Sequence, residues 1–238
     1  GQFKYDFNKG KPWQYDNLYA SFNFSIQKEA KDIELEKQQL VKNNVPYYKY
    51  DTEIVANVKT NFNTKINALQ VSDSIETSEL LQLVSIGNFV IDEVYKVGFL
   101  EVANQGQAAK TNDIILLRKE NIVEELMYNK LLLSKDFLQL LSNQMGDIPY
   151  SYGQNQLFSI LTEVVKPNVS YDESFTQKAL EESFKNISNT EGLVENGSLI
   201  ILKGDLVEGR KLAILNSFKK ESESKIWTEL NYNWIVFG

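Results

Sequence analysis

Two rhythms of apolar residues run along this chain. Behind Thr52, the residues Ile54, Val58, Phe62, Ile66 and Leu69 recur at helical spacing, which predicts a long helix with one buried face. Phe22, Phe24 and Ile26 alternate with polar neighbours, which predicts a half-buried strand over residues 21–26. Between them, residues 28–43 are highly charged, with Ile33, Leu40 and Val41 as a thin stripe. That segment reads as a solvated helix stopped by Asn43-Asn44. Pro46 disfavours α-helix in the residue before it, so 46–51 reads as extended. Two shorter helices, 74–84 and 88–97, are predicted on either side of Gly87, ending at Gly98.

The second half is more broken. Residues 104–112 are polar and contain Gly and Gln, the best position for a flexible connector or a boundary between lobes. Residues 113–118 and 122–128 form a predicted hairpin around Lys119-Glu120-Asn121. Ser134 is expected to cap a helix over 135–145, with Asp136 in its first turn and Gly146 as its stop. A loop follows over 147–153, then a helix over 155–165. Pro167-Asn168 interrupts the chain, and Asp172 is placed to cap a helix over 173–187. Asn196-Gly197 predicts a two-residue type I′ hairpin. Residues 198–202 read as a buried strand, Gly204-Asp205 as a turn, and Leu212, Leu215 and Phe218 as the face of a last helix. No regular βαβ repeat or internal repeat is present. The expected fold is α+β, helix-rich with short strands and hairpins. It forms one domain over residues 1–238, or two lobes about the connector at 104–112.

Composition narrows the function. A chain of 238 residues with 42% hydrophobic residues can bury a sizeable core. Its net charge of −7 lacks the basic face that nucleic acid demands. No apolar run approaches the roughly 20 residues of a membrane-spanning helix. The chain has no cysteine and no histidine. This excludes Ser-His-Asp and Cys-His catalysis and zinc sites built on N or S ligands. Gly10-Lys11 lacks the rest of a phosphate-binding loop. Glu124-Glu125 and Glu181-Glu182 are adjacent pairs, which point apart on a strand and diverge on a helix, so neither is an acid–base dyad by itself. No catalytic residue, metal ligand or cofactor site is expected in this segment.

Binding is the better expectation. Tyr47, Tyr48 and Tyr50 form an aromatic cluster, and Tyr150 and Tyr152 flank a loop. Such residues line ligand pockets, and they equally serve as core or edge packing. Arg118 and Arg210 are the two arginines. Each suits bidentate capture of a carboxylate or phosphate, and each equally suits a surface or helix-end role. Phe3, Tyr5, Phe7 and Trp13 at one end, and Tyr232, Trp234, Ile235, Val236 and Phe237 at the other, resemble the aromatic steps at membrane interfaces. Core or edge packing accounts for them as well.

Several motifs together carry a family resemblance. They are Gly192, then Ile200-Ile201, Gly204-Asp205 and Val207, and the run Leu215-Asn216-Ser217-Phe218-Lys219-Lys220-Glu221. To these are added Phe3-Lys4-Tyr5-Asp6-Phe7, Lys9-Gly10-Lys11-Pro12-Trp13, Leu18, Ala20 and 22–26, and Pro167-Asn168 with Tyr171-Asp172 and Thr176. In this order they resemble the extracytoplasmic domain of the seven-transmembrane HD-family phosphohydrolases, which hydrolyse cyclic di-AMP in their cytoplasmic HD domain. The resemblance implies a domain tethered on the extracytoplasmic face of a bacterial membrane, periplasmic or extracellular. It implies a non-catalytic sensory or regulatory role within a membrane-bound phosphodiesterase, because the HD site needs histidines that this segment lacks. The implied partners are the flanking membrane helices of the same chain and an unidentified extracytoplasmic ligand or protein. A structural or dimerisation module, working as a homodimer, is the alternative.

Overall fold

A computed structural model describes residues 3–101, 113–146 and 151–236. The chain forms two compact units, residues 1–43 with 180–238 and residues 44–179. The connector expected at 104–112 lies outside the described residues. The helix-rich α+β class is as expected.

In the second unit, β3 (Tyr47–Tyr50) leads into α2 (Thr52–Ser72). The Asp51 carboxylate caps α2, accepting from Glu53 N at 2.9 Å and Ile54 N at 3.3 Å, which satisfies donors that the first helical turn leaves open. Val58, Phe62, Ile66 and Leu69 are buried, as their spacing predicts. They share one core with Leu83 and Ile91 of α3 (Thr77–Tyr95), Leu141 of α4 (Phe137–Met145) and Leu157 and Leu161 of α5 (Tyr152–Val164). The helix break expected at Gly87 does not occur, and α3 is continuous. Gly87 is buried against the ring of Phe62, and a Cβ there would overlap it. The glycine serves close helix packing, not termination.

A six-stranded sheet runs in the order β6-β5-β3-β8-β4-β7. Its other strands are β4 (Phe99–Leu100), β5 (Ile114–Lys119), β6 (Ile122–Met127), β7 (Leu132–Leu133) and β8 (Val169–Tyr171). The β5–β6 hairpin is antiparallel, with Lys119 opposite Ile122. Glu120 in its two-residue turn takes φ 54°. β3 lies parallel to β5 and antiparallel to β8. β4, β7 and β8 have two or three residues each, too few to show a period, and exist through their pairings. Ser134 does not cap a helix. It sits in a 3-10 turn, Ser134–Asp136, and its hydroxyl donates to Glu101 Oε1 at 3.1 Å.

The first unit contains α1 (Ala30–Lys42), which buries no residue, and the long α7 (Gly209–Val236). The boundary between the units falls within α6 (Glu173–Lys185). β1 (Leu18–Tyr19) pairs antiparallel with β10 (Leu199–Ile201), and β2 (Phe24–Gln27) with β9 (Thr190–Val194). The type I′ hairpin therefore does not form. Only Gly197, at φ 88°, is left-handed. Ser198 N donates to Glu195 O at 3.0 Å across the turn, and the strands on either side take different partners. Ile200 and Ile201 are buried as expected, while Leu199 and Leu202 are exposed.

The N-terminal segment runs alongside α7. Gly10 N donates to Val207 O at 2.8 Å near the helix start, and Phe3 packs edge-on against Phe218 with centroids 5.8 Å apart. Passing from residue 10 back to residue 3 therefore climbs α7 towards its C-terminal end. Trp13 is only 1% exposed, and Phe3, Tyr5 and Phe7 pack around the same core. Phe3, Tyr5 and Phe7 are only partly buried there. Trp13 thus takes the core-packing role, and Phe3 gives apolar cover to Phe218. At the other end, Phe237 lies outside the described residues.

Candidate functional site

Strand alternation divides the tyrosine cluster. Tyr47 and Lys49 point to one face of the sheet, Tyr48 and Tyr50 to the other. The parallel register sets Lys49 beside Arg118 and Tyr50 beside Lys119. On the first face the ring of Tyr47 meets Phe175 with centroids 4.7 Å apart. The Arg118 guanidinium carbon stands 5.1 Å from the Phe175 centroid, and Nη2 donates to Asp172 Oδ2 at 2.9 Å. Asp172 Oδ1 accepts from Phe175 N at 3.0 Å, the cap expected for α6. Burial alone would raise the Asp172 pKa. The Arg118 hydrogen bond, the Phe175 N–H and the Arg118 and Lys49 charges outweigh it and hold the carboxyl below its ordinary value. Arg118 Nε is buried with no hydrogen-bond partner among the described residues. Arg118 therefore anchors the start of α6 to the sheet.

The second face is packed. Tyr48 is fully buried, with its ring 5.6 Å from Tyr171 and 6.2 Å from Tyr128. The Tyr50 hydroxyl donates to Tyr95 O at 2.9 Å, and the Tyr95 hydroxyl donates to Lys166 O at 2.7 Å. Burial raises the Tyr50 pKa and pushes Tyr95 up to about 12. Both phenols are structural donors. One edge of Tyr50 borders a cleft of about 420 Å³, where Lys119 Nζ lies 4.5 Å from its centroid and Lys96, Lys130 and Leu117 contribute further wall. Sequence reasoning missed these lysines, because they come from three separated elements and share no spacing.

The remaining candidates stand apart. Arg210 lies at the exposed start of α7 in the other unit, its Nη2 3.8 Å from where a Gly192 side chain would begin. Tyr152 donates to Asp73 Oδ2 at 2.9 Å. Tyr150 is outside the described residues. Glu124 and Glu125 occupy successive β6 positions opposite Leu117 and Leu116, on opposite sheet faces. Among the described residues no three carboxylates gather as a metal site.

A family model described as 7TM-HD extracellular matches residues 16–220 of the 238. The chain belongs to the 7TM-HD extracellular family. No curated protein and no solved structure matches it. The matched residues include Ile200-Ile201, Gly204-Asp205 and Leu215–Lys220, whereas the motifs at 3–13 lie outside them. The 7TM-HD extracellular domain is a non-catalytic, extracytoplasmic part of 7TM HD proteins. Among the described residues no helix is long and apolar enough to cross a membrane.

Proposed function

We propose that this 7TM-HD extracellular domain regulates a bacterial membrane-bound cyclic di-AMP phosphodiesterase by sensing an extracytoplasmic ligand or protein. The family match over residues 16–220 carries this reading. The absence of histidine supports placing the hydrolytic HD site elsewhere in the full-length protein. A signal changes the hydrolase only if it binds two states of the domain with different affinity. Both chain ends belong to one unit, and the N-terminal segment climbs α7 towards its C-terminal end. That geometry supports delivery of both ends to flanking membrane helices. Tyr47, Tyr48 and Arg118 then act chiefly as scaffold, and Arg210 is the one exposed arginine left for surface recognition.

The test uses full-length protein in vesicles. Cyclic di-AMP hydrolysis is compared between the intact protein and a variant whose residues 16–220 are replaced by an inert domain. A change of about twofold or more supports regulation, and equal rates with equal responses to extracytoplasmic additions overturn it. A specific observation favours the interaction reading as a second possibility. Edge strand β6 exposes Ile122, Val123 and Met127, and an exposed apolar edge strand is a natural pairing surface. A concentration-independent monomer in sedimentation experiments overturns the homodimer version.

A further inference from the structure

The cleft beside Tyr50 reverses the charge of the molecule. The chain carries −7 overall, yet Lys96, Lys119 and Lys130 line this cleft against the single carboxylate of Glu124, three positive charges to one negative, net +2. Among the described residues no carboxylate lies within ion-pair distance of any of the three lysines. They arrive from the end of α3, the end of β5 and the 3-10 turn Tyr128–Lys130. Two residues after Lys96, Gly98 takes φ 153°. A Cβ there would lie 2.5 Å from Val169 Cγ2, so glycine suits the passage from α3 into β4.

The rest of the wall is apolar. Tyr50 and Leu117 are buried residues of the sheet core that also border the cleft. Ile122 is 72% exposed at its mouth, beside Lys119. Lys119 stands over the Tyr50 ring, a favourable cation–π position that holds an ammonium above an aromatic surface. The volume of about 420 Å³ falls within the range of small-molecule sites, which combine apolar walls with a few convergent polar groups.

We propose that this cleft binds a small anion with an aromatic or apolar body. Its carboxylate or phosphate head faces the three ammonium groups, and its body rests on Tyr50, Leu117 and Ile122. Lysine is a point charge with freely turning donors, so it accepts either head without the fixed fork that arginine imposes. Glu124 limits the cleft to one anionic head and disfavours polyanions. This deepens the regulatory reading by naming a ligand class and rests on that reading for its physiological consequence. Binding itself is measured on the domain alone. Failure here removes the cleft as the ligand site, whereas equal hydrolase rates in the domain-replacement experiment remove the regulation.

Calorimetry on the 238-residue chain at low salt compares phenyl phosphate, phenylacetate, inorganic phosphate and benzyl alcohol. At least one aromatic anion should bind one site, about tenfold or more tighter than either phosphate or benzyl alcohol, because only it engages both walls. Which of the two binds identifies the preferred head. Lys119→Gln with Lys130→Gln should weaken that binding about tenfold while leaving the melting temperature unchanged. The proposal is overturned if neither aromatic anion gives saturable heat, or if the double variant binds as tightly. Inorganic phosphate binding as well as the aromatic anions means an adventitious ion only, and also overturns it.

Discussion

A methyl group at Gly87 would overlap the ring of Phe62, whereas one at Gly204 would meet open space. The two glycines are therefore needed for different reasons. Gly87→Ala gains about 1 kcal/mol of helix propensity but forces overpacking against a fully buried ring, which costs about 1–3 kcal/mol. A net loss of stability is expected in chemical denaturation, and Phe62→Leu in the same chain should recover part of it. Gly204 takes φ 88°, so Gly204→Val is strained by the backbone alone, by roughly 1–2 kcal/mol. Gly204→Asn should cost less, and equal melting temperatures for the valine variant and the parent would contradict the left-handed turn. Asp172 gives a prediction in pH. Its folded pKa lies below the ordinary carboxylate value, so its contribution is fully present above that value. It is lost as pH falls through the folded pKa, below about pH 4. Arg118→Gln should raise the Asp172 pKa in a carboxylate NMR titration and shrink this acid-dependent part of the stability.

At the scale of elements, α2 shows how local chemistry and packing combine. Asp51 satisfies two first-turn donors, and the apolar stripe from Val58 to Leu69 seats the helix on the core. Asp51→Ala should cost about 0.5–2 kcal/mol, while Asp51→Asn, which also caps, should retain most of the stability. Equal losses for the two variants in urea denaturation would show that charge, not the cap, matters. The last helix depends more on packing. Leu215 is fully buried, and Phe218 meets Phe3 edge-on and Phe22 and Phe24 at a tilt. The β5–β6 hairpin is a third case, in which a two-residue turn aligns Leu117 with Glu124 and Lys119 with Ile122. That alignment sets one wall of the cleft.

The whole molecule has two kinds of unit. Residues 44–179 are contiguous and hold their own helical core and sheet. The other unit joins two segments, residues 1–43 and 180–238. A contiguous stretch with its own core can fold alone. The fragment 44–179 is expected to unfold cooperatively and to keep the dispersed amide spectrum that those residues show in the intact chain. A collapsed spectrum without a cooperative transition would show that the division is not energetic. The fragment 180–238 alone should remain unfolded, because β9 and β10 find their strand partners in β2 and β1.

What the sequence determined was local or compositional. The period of Ile54 to Leu69, the alternation of Phe22 to Ile26, the Asp172 position before its helix and the turn at Gly204 all act within a few residues. The lack of histidine and the ordered family motifs likewise need no coordinates. Tertiary structure alone decided the long-range partners. Asn196-Gly197 looks like a hairpin turn, but the flanking strands gain more by pairing with β1 and β2, whose residues lie some 170 positions away. Gly87 looks like a helix break until Phe62 is placed against it. Arg118 and Asp172 stand 54 positions apart in the chain, and only the fold pairs them. Lys96, Lys119 and Lys130 share no sequence pattern, and only the fold gathers them around one cleft. Each of these outcomes depends on which distant surfaces meet, and a local pattern carries no information about that choice.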